Sequence, residues 1–444
     1  MVLDFPVCKC LKAPIAASTK CAISSALTSS DALPVMGRVV GEPGRFIVAF
    51  CGSGTGHLTQ AMKAVEMLQA RGLTLAGVVT DTDAAPRMLD EMVRPLGVEL
   101  LVIPAIELVD TQKGFVPLVD PIRFVTSLMG AQKALHDNRH EYAAFFRRAR
   151  ASTIYNMYHL TLARFLQHNP LPPSMTIIHM AAQFGLCELS EDDTHTFIEV
   201  GSKGVMDMMK TIFVASGRTV PISPLGREGC LPPIIHVPAA LEPQSPKLIL
   251  CYFLVATNAT DLDDILIRQP MPGVEFHCFT SKALESTKST LQSHAKQRKL
   301  FQELFARCTG VIVSAGNETV WEAVCRGVPV LTIPTDGHGE QLLNAAVHAR
   351  NFPNLVRQRP KLDAKDIRWL VNFDLQDPAA SRESQHLRTL VTTFLREGSP
   401  MLGGVESGGS DMNLTAAAAL KRKVSSLVDA ARLWVGRGGE DSAR

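Results

Sequence analysis

The sequence lacks the features that mark several common protein classes. It has no uninterrupted apolar run as long as a membrane span, which takes about 20 residues. Its ten cysteines are scattered without a CxxC pair, which predicts reduced, mostly buried thiols and an intracellular location, cytoplasmic or organellar. A net charge of +2 without a long basic run gives no electrostatic argument for nucleic-acid binding. We therefore expect a protein that is soluble or peripheral to a membrane.

The length of the chain gives room for more than one domain. Its 444 residues, 46% of them apolar, suffice for two or three domains, each with its own core. Residues 1–44 are rich in Ser, Ala and Thr and contain few acids. This composition fits a disordered extension or an organelle targeting segment, and the two alternatives remain open.

The most informative stretch runs from Gly310 to Ala346. Two short β-branched runs, Val311–Val313 and Val328–Ile333, enclose a helical pattern over Thr319–Cys325, and a second helix is predicted to start near Glu340. Short apolar runs bounded by Gly and Pro are typical of buried parallel strands. The stretch therefore predicts a βαβ unit.

Two loops of this unit carry the candidate ligand-binding residues. The small-residue turn from Ser314 to Asn317 leads into a helix, whose start offers free N–H groups to a phosphate. Glu322, one turn later, is a candidate acceptor for sugar hydroxyls. Residues 334–341 form a polar, glycine-rich loop after the next strand. Both loops fall at the carboxyl ends of strands, where open parallel sheets bind ligands, so we predict a nucleotide-sugar pocket.

A family resemblance follows from residues 314–345, which read SAGNETVWEAVCRGVPVLTIPTDGHGEQLLNA. This run resembles the donor-binding signature of GT-B glycosyltransferases, and most of all the family 28 kind that contains a lipid II N-acetylglucosaminyltransferase and plastid galactolipid synthases. The resemblance implies two facing Rossmann-like, doubly wound α/β domains with an interdomain cleft. The donor-site residues that it implies or that lie in the same loops are Ser314, Gly316, Asn317, Thr319, Glu322, His338, Gly339, Glu340 and Gln341.

Within that set the resemblance implies separate roles. Gly316, Asn317 and Thr319 would hold the diphosphate, Glu322 the ribose hydroxyls, and the pair Glu340-Gln341 the transferred sugar. The chain departs from the family at Glu318, because a carboxylate beside a diphosphate is unfavourable unless it points away.

The first half opens with a second glycine loop. A strand at Arg45–Phe50 and a helix over Leu58–Arg71 enclose residues 51–57, which include Gly54, Thr55 and Gly56. With Asp81 at the end of the next strand, the loop allows an NAD(P)-dependent oxidoreductase. In GT-B enzymes the loop lies on the acceptor side, and His57 would then take the acceptor proton. A His that caps the helix or packs the loop is the structural alternative.

The predicted domains follow from these units. Residues 45–240 form the acceptor-side domain, with a helical pattern from residue 120 to residue 169. A proline-rich linker precedes the nucleotide-sugar-binding domain, residues 247–375. The resemblance implies that the first loop of this domain faces the donor, which makes Asn258 a candidate phosphate or base contact. Residues 376–444 contain helices and a Gly/Ser-rich segment, and a terminal helix is expected to brace the first domain.

Together these features predict a glycosyltransferase that moves a hexosyl group from a nucleotide-sugar, expected to be a UDP-sugar, to an acceptor hydroxyl. The resemblance implies transfer with inversion. We predict neither a metal site nor a resident cofactor, because no paired metal-binding Asp motif (DxD) is evident. The acceptor would be a lipid or a small molecule, and basic, apolar helices in the first half suggest contact with an anionic membrane surface. A nucleotide-sugar epimerase and an oxidoreductase remain the alternatives.

Overall fold

The structure is a computed structural model, and it describes residues 41–51, 56–81, 93–106, 109–110, 114–115, 121–182, 211–237, 239, 246–335 and 338–402. The predicted site residues Gly54 and Thr55 lie outside these ranges, as do residues 1–40 of the predicted extension and residues 403–444 of the predicted C-terminal region. The predicted linker is described only at residues 239 and 246, so the domain boundary stays a prediction.

The first half of the chain forms a parallel sheet with helices around it. Its strands are β1 (Glu42–Phe50), β2 (Thr74–Thr80), β3 (Glu99–Val102), β4 (Val109–Asp110), β5 (Gly114–Phe115), β6 (Ala151–Met157), β7 (Thr176–Ala181) and β8 (Arg218–Pro221). Its helices are α1 (Gly56–Gln69), α2 (Arg94–Leu96), α3 (Pro121–Asp137), α4 (Arg139–Ala149) and α5 (Leu160–His168). Six strands form one parallel sheet in the order β3-β2-β1-β6-β7-β8, and β4 pairs with β5 in a separate antiparallel ribbon.

The second half repeats the arrangement. Its strands are β9 (Lys247–Tyr252), β10 (Val274–Thr280), β11 (Leu291–Ala295), β12 (Gly310–Val313), β13 (Val330–Thr332) and β14 (Val356–Gln358). Its helices are α6 (Thr257–Arg268), α7 (Arg298–Arg307), α8 (Asn317–Arg326), α9 (Gly339–Asn351), α10 (Ala364–Val371) and α11 (Pro378–Glu397). All six strands are parallel, in the order β11-β10-β9-β12-β13-β14. The prediction of two doubly wound α/β domains is confirmed.

The helical pattern predicted from residue 120 to residue 169 is wrong in its middle, where β6 lies. This strand pairs with β1 and with β7 at the centre of the first sheet. It is buried on both faces, so its sequence lacks the alternation that reveals a half-exposed strand. Aromatic side chains of this region belong to the core: Tyr142, Phe145, Phe146 and Phe165 are all buried.

Residues 231–237 do not form a regular strand, although the run is largely apolar. Leu231 makes one parallel bridge with Ile222, and residues 232–237 are irregular. Pro232 and Pro233 have no N–H group to donate, which prevents a regular ladder here. The segment instead extends towards the second domain, which it reaches at His236.

Helix α11 braces the first domain, as expected of a terminal helix. Arg71, just after α1, donates through Nη2 to the carbonyl oxygens of Phe394 (3.0 Å) and Leu395 (3.2 Å). These carbonyls belong to the last turn of α11, where a cation also complements the helix dipole. Beyond the helix, the Tyr155 hydroxyl donates to the Leu402 carbonyl at 2.7 Å. The two domains are therefore joined by this helix as well as by the linker.

The interior of the protein does not divide cleanly at the linker. Each sheet has an apolar cluster on one face, but a third cluster contains side chains from both halves, among them Phe46, Met157, Leu250 and Val313. The domains thus pack against each other through apolar surface. Their sheets bring the carboxyl ends of β1 and β12, and the helices that follow them, to one interface.

Candidate functional site

The starts of helices α1 and α8 meet across the domain interface. Helix α1 follows β1 and begins at Gly56, and α8 follows β12 and begins at Asn317. An added Cβ atom at Gly56 would clash with the Glu318 carboxylate and lie 2.8 Å from its Cδ. The fold therefore joins the two glycine-containing loops that the sequence singled out. Two helix N-termini that converge in this way bring the positive ends of two helix dipoles together.

The turn before α8 is built to expose the helix start. Gly316 occupies the N-cap position, and no side chain caps the helix there. Ala315, immediately before it, has φ of 59°, a left-handed conformation that is uncommon for a residue with a Cβ and that clusters at ligand sites. Ser314 fastens the turn, since its Oγ accepts from the Leu254 N–H at 3.1 Å. Of the predicted phosphate contacts, Gly316 is exposed, Thr319 is half-buried and Asn317 is buried.

Glu322 lies one turn into α8 and faces the first domain. Its Oε1 accepts from the backbone N–H of His236 at 3.3 Å. Burial raises the pKa of Glu322 to about 8, the carboxylate of Glu318 raises it further, and the His236 N–H and the charge of Arg298 oppose the rise. A carboxyl that is neutral near pH 7 can donate as well as accept, which suits a partner that carries hydroxyl groups.

The loop before α9 has two kinds of predicted site residue. Gln341 and His338 are turned into the protein: Gln341 Oε1 accepts from the Thr335 N–H at 2.8 Å, and burial lowers the pKa of His338. Glu340 is half-exposed and carries a charge that acts on Tyr158 in the first domain. Gly339 begins the helix, so its backbone N–H belongs to the free first turn. Glu340 is thus the member of this group that faces the other domain.

His57 stands in the first turn of α1, against an aromatic stack. Its ring lies 5.8 Å from the Tyr158 ring at an interplanar angle of 24°, and Tyr158 stacks in turn on Phe213 at 5.1 Å. Within the described ranges the buried Nδ1 of His57 has no hydrogen-bond partner. The histidine does not cap its helix through that atom, and the imidazole retains a ring nitrogen for another group.

Tyr158 belongs to the candidate site, although the spacing of residues in the sequence did not indicate it. It follows β6 directly and has φ of 65°, a strained conformation for a bulky residue. Burial raises the pKa of its hydroxyl well above the usual value, and the charges of Glu340 and Cys51 add to the rise. The sequence pattern gave it only as a core aromatic. A backbone outlier of this kind leaves no trace in residue spacing.

The oxidoreductase alternative depends on Asp81, whose carboxylate is buried and hydrogen-bonded inside the first domain. Asp81 is 1% exposed, and its Oδ2 accepts from the Cys51 thiol at 3.2 Å. Its charge also acts on the buried imidazole of His159, whose pKa burial lowers to about 4. A carboxylate so placed is not presented to a ribose. His179 is likewise engaged inside this domain, where it is buried and bonded to Asn156 (2.9 Å) and Ser216 (3.0 Å).

The sequence does contain Asp-x-Asp triplets, at residues 81–83 and 261–263, so the prediction that no such motif is evident is wrong. Asp263 is buried and accepts from the backbone N–H groups of Lys288 and Ser289, and so fixes the loop before β11. Nowhere in the described part of the chain do three or more His, Cys, Asp or Glu side chains form a group that could hold a metal ion.

Asn258 stands at the second residue of α6, near the end of β9. Its Nδ2 is buried and has no hydrogen-bond partner among the residues that the structure describes. An unpaired buried amide is costly unless a ligand or water satisfies it. The position therefore fits the predicted role in binding a phosphate or a base.

The comparisons with known proteins rest on structure. No protein-family profile matches the chain, and no curated protein matches its sequence. UGT89C1 of Arabidopsis thaliana in complex with UDP-L-rhamnose has a TM-score of 0.54 at 13% identity, over 80% of this chain and 95% of that chain. Its quercetin complex gives 0.53 at 14%, over 86% and 98%. The kitacinnamycin glycotransferase gives 0.51 at 12%, over 81% and 97%.

The fold is GT-B. In this GT-B chain a buried apolar cluster lies around Tyr158, whose ring stacks on that of His57. It consists of Ile106, Ala131, Tyr158, Leu160, Ala163, Ala181, Ile212 and Phe213, with Phe124 and Leu128 packed against it. Among the described helices, none combines the length and the apolar character that crossing a membrane would require.

Proposed function

We propose that the protein is a glycosyltransferase that moves a hexosyl group from a UDP-sugar to the hydroxyl of an acceptor. The observation that carries this proposal is the meeting of the α1 and α8 starts, with Glu322 one turn below and His57 opposite. The GT-B fold and the motif at residues 314–345 support it. On the same motif we infer kinship with the family 28 kind.

The donor would bind mainly to the second domain. The uncapped start of α8 supplies N–H groups and a dipole for the diphosphate, with the hydroxyl of Thr319 beside them. Glu322 would bind the ribose hydroxyls, which compete for the oxygen that now accepts from His236. The buried amide of Asn258 and the carboxylate of Glu340 would complete the contacts to the base or phosphate and to the sugar. Nucleotide-sugar is substrate here, and no resident cofactor or metal takes part.

The chemical step would be one displacement at the anomeric carbon. The acceptor oxygen attacks that carbon, the bond to the diphosphate oxygen breaks, and its electron pair leaves with the diphosphate. The acceptor proton passes to the imidazole of His57. Attack opposite the leaving group inverts the anomeric centre. The start of α8 stabilises the charge that develops on the diphosphate, as preorganised N–H donors do.

The acceptor would be an apolar small molecule. Support comes from the apolar cluster around Tyr158, next to His57. The basic side chains that suggested an anionic membrane are in part neutralised: Lys133 pairs with Asp137, Arg148 with Glu99 and Arg150 with Glu42. A lipid acceptor remains within this proposal as a single molecule that enters the cleft.

One observation favours the epimerase as a second candidate. That reaction needs a carboxylate base in the cleft, and the Glu318 carboxylate lies against Gly56. Incubation of the protein with a UDP-hexose and no acceptor separates the two, because an epimerase converts the sugar and a transferase leaves it largely intact. Conversion of the sugar at a steady rate would replace the transferase assignment.

The test of the proposed function is isothermal titration with UDP, UDP-hexoses and NAD. We expect micromolar binding of UDP by the natural protein and its loss in Glu322→Ala. The control is Glu303→Ala, which removes an exposed carboxylate from α7 and should leave binding unchanged. Binding of NAD in place of UDP would contradict the proposal and return attention to the loop before α1.

A further inference from the structure

Glu318 is the side chain that the GT-B assignment does not use. It is an acid in the first turn of α8, and its carboxylate packs on Gly56 at the start of α1. It is half-buried, and within the described ranges it forms no hydrogen bond or ion pair with another side chain. Its charge instead acts on Glu322, four residues further along the same helix face.

The Glu318 carboxylate lies at a position of positive electrostatic potential. It stands where two helix N-termini converge, and each contributes a partial positive charge of about half an elementary charge. Helix α8 has no side-chain cap, and α1 has no acidic residue in its first turn. An anion is therefore favoured at this point, and Glu318 provides the anion from within the chain.

We propose that Glu318 is a specificity-determining residue that occupies the anion position between the two helix starts and makes the cleft discriminate against free nucleoside diphosphate. This inference rests on the proposed function, since it concerns the diphosphate of the same donor. A nucleotide must displace or tolerate the carboxylate in order to place its phosphates between α1 and α8. A neutral nucleoside does not meet that obstacle.

The discrimination has a consequence for turnover. The leaving nucleoside diphosphate has a terminal phosphate with a second ionisation near pH 6, so at neutral pH it carries almost one more negative charge than its sugar ester. The carboxylate repels the more highly charged product more strongly than the donor. Glu318 thus favours donor over product and speeds the release of the diphosphate after transfer.

The experiment compares ligands that differ in charge. The natural protein and Glu318→Gln are titrated with UDP and with uridine, each at low and at high salt. We expect the variant to bind UDP about tenfold more tightly at low salt, less so at high salt, and uridine with unchanged affinity. In transfer assays the inhibition constant of UDP should fall by a similar factor. Glu303→Gln on α7 removes the same charge at an exposed site and should match the natural protein.

A second variant separates charge from packing. Glu318→Asp keeps the carboxylate but shortens it by one methylene, so we expect UDP affinity to remain within about threefold of the natural value. Unchanged UDP affinity in Glu318→Gln, or equal tightening for uridine and UDP, would overturn the proposal. If none of the proteins binds UDP, the proposed function itself fails, and this inference fails with it. That outcome is distinct from equal binding of UDP by the natural protein and Glu318→Gln, which would overturn this inference alone.

Discussion

The two domains share one topology and differ in the chemistry that they present to the cleft. Both sheets have the strand order 3-2-1-4-5-6 of a doubly wound fold, when the strands of each sheet are numbered along the chain. In the first domain α1 starts at the carboxyl end of β1, and in the second domain α8 starts at the carboxyl end of β12. Both helix starts lie at the interface between the domains. The first domain offers ring side chains there, His57 and Tyr158, whereas the second offers the carboxyl groups Glu318, Glu322 and Glu340.

The proposed function assigns a different role to each side of this contrast. An imidazole against an aromatic stack suits proton transfer at an acceptor hydroxyl. Carboxyl groups around an uncapped helix start suit hydroxyl recognition and control of phosphate charge. The two sides touch each other, because Gly56 contacts Glu318 and the first-domain residue His236 donates to Glu322.

The largest effect is expected at the ring side. His57→Ala removes the proposed base, so turnover should fall by about 10²- to 10⁴-fold while UDP affinity stays nearly constant. Steady-state kinetics and UDP titration measure the two quantities separately. His136→Ala, at an exposed histidine of α3, is the matched control and should retain activity. Full activity in His57→Ala would show that another group is the base. The first domain would then not supply the base through its ring side chains.

A smaller effect is expected at Tyr158, which positions His57 through the ring stack. Tyr158→Leu should lower kcat about tenfold, with little change in the donor KM, because orientation of the base affects only the chemical step. Tyr158→Phe keeps the stack and should restore most of the activity. Parallel losses of kcat and of UDP affinity in Tyr158→Leu would point to a general loss of structure, and circular dichroism would verify that.

The smallest effect concerns stability and the carboxyl side. The pKa of Glu322 is raised to about 8 in the folded protein from a usual value of 4.5. The folded state therefore binds this proton more tightly than the unfolded chain, and the free energy of unfolding falls as pH rises between these two values. Glu322→Gln removes that component. Its Tm should decrease less than that of the natural protein between about pH 5.5 and about pH 8.5, by about 1–3 °C.

Thermal unfolding at the two pH values is the measurement, with Glu303→Gln as the control for loss of an exposed carboxylate. Identical pH slopes for Glu322→Gln and the natural protein would show that Glu322 is already ionised at neutral pH. The carboxyl would then act as an acceptor only.

Much of the fold could be predicted from local pattern. The strand–helix alternation around Gly310–Ala346 and the opening unit at Arg45–Arg71 both appear as expected. The failure at β6 has a physical cause: a central strand buried on both faces has no alternation, and Tyr155 and Tyr158 at a spacing of three residues also fit a helix. Pro232 and Pro233 argue against a strand in the apolar run at residues 231–237, because proline has no N–H group to donate to a ladder.

The sequence alone determined the two βα scaffolds, the glycine-containing loops before their helices and the residue types that lie there, because turn chemistry and periodicity are local properties. Only the tertiary structure decided that Glu318 faces Gly56, that His236 donates to Glu322 and that Tyr158 lies against His57. These contacts join segments about 80 to 260 residues apart, and they depend on side-chain direction and on how the domains pack, which residue spacing does not encode.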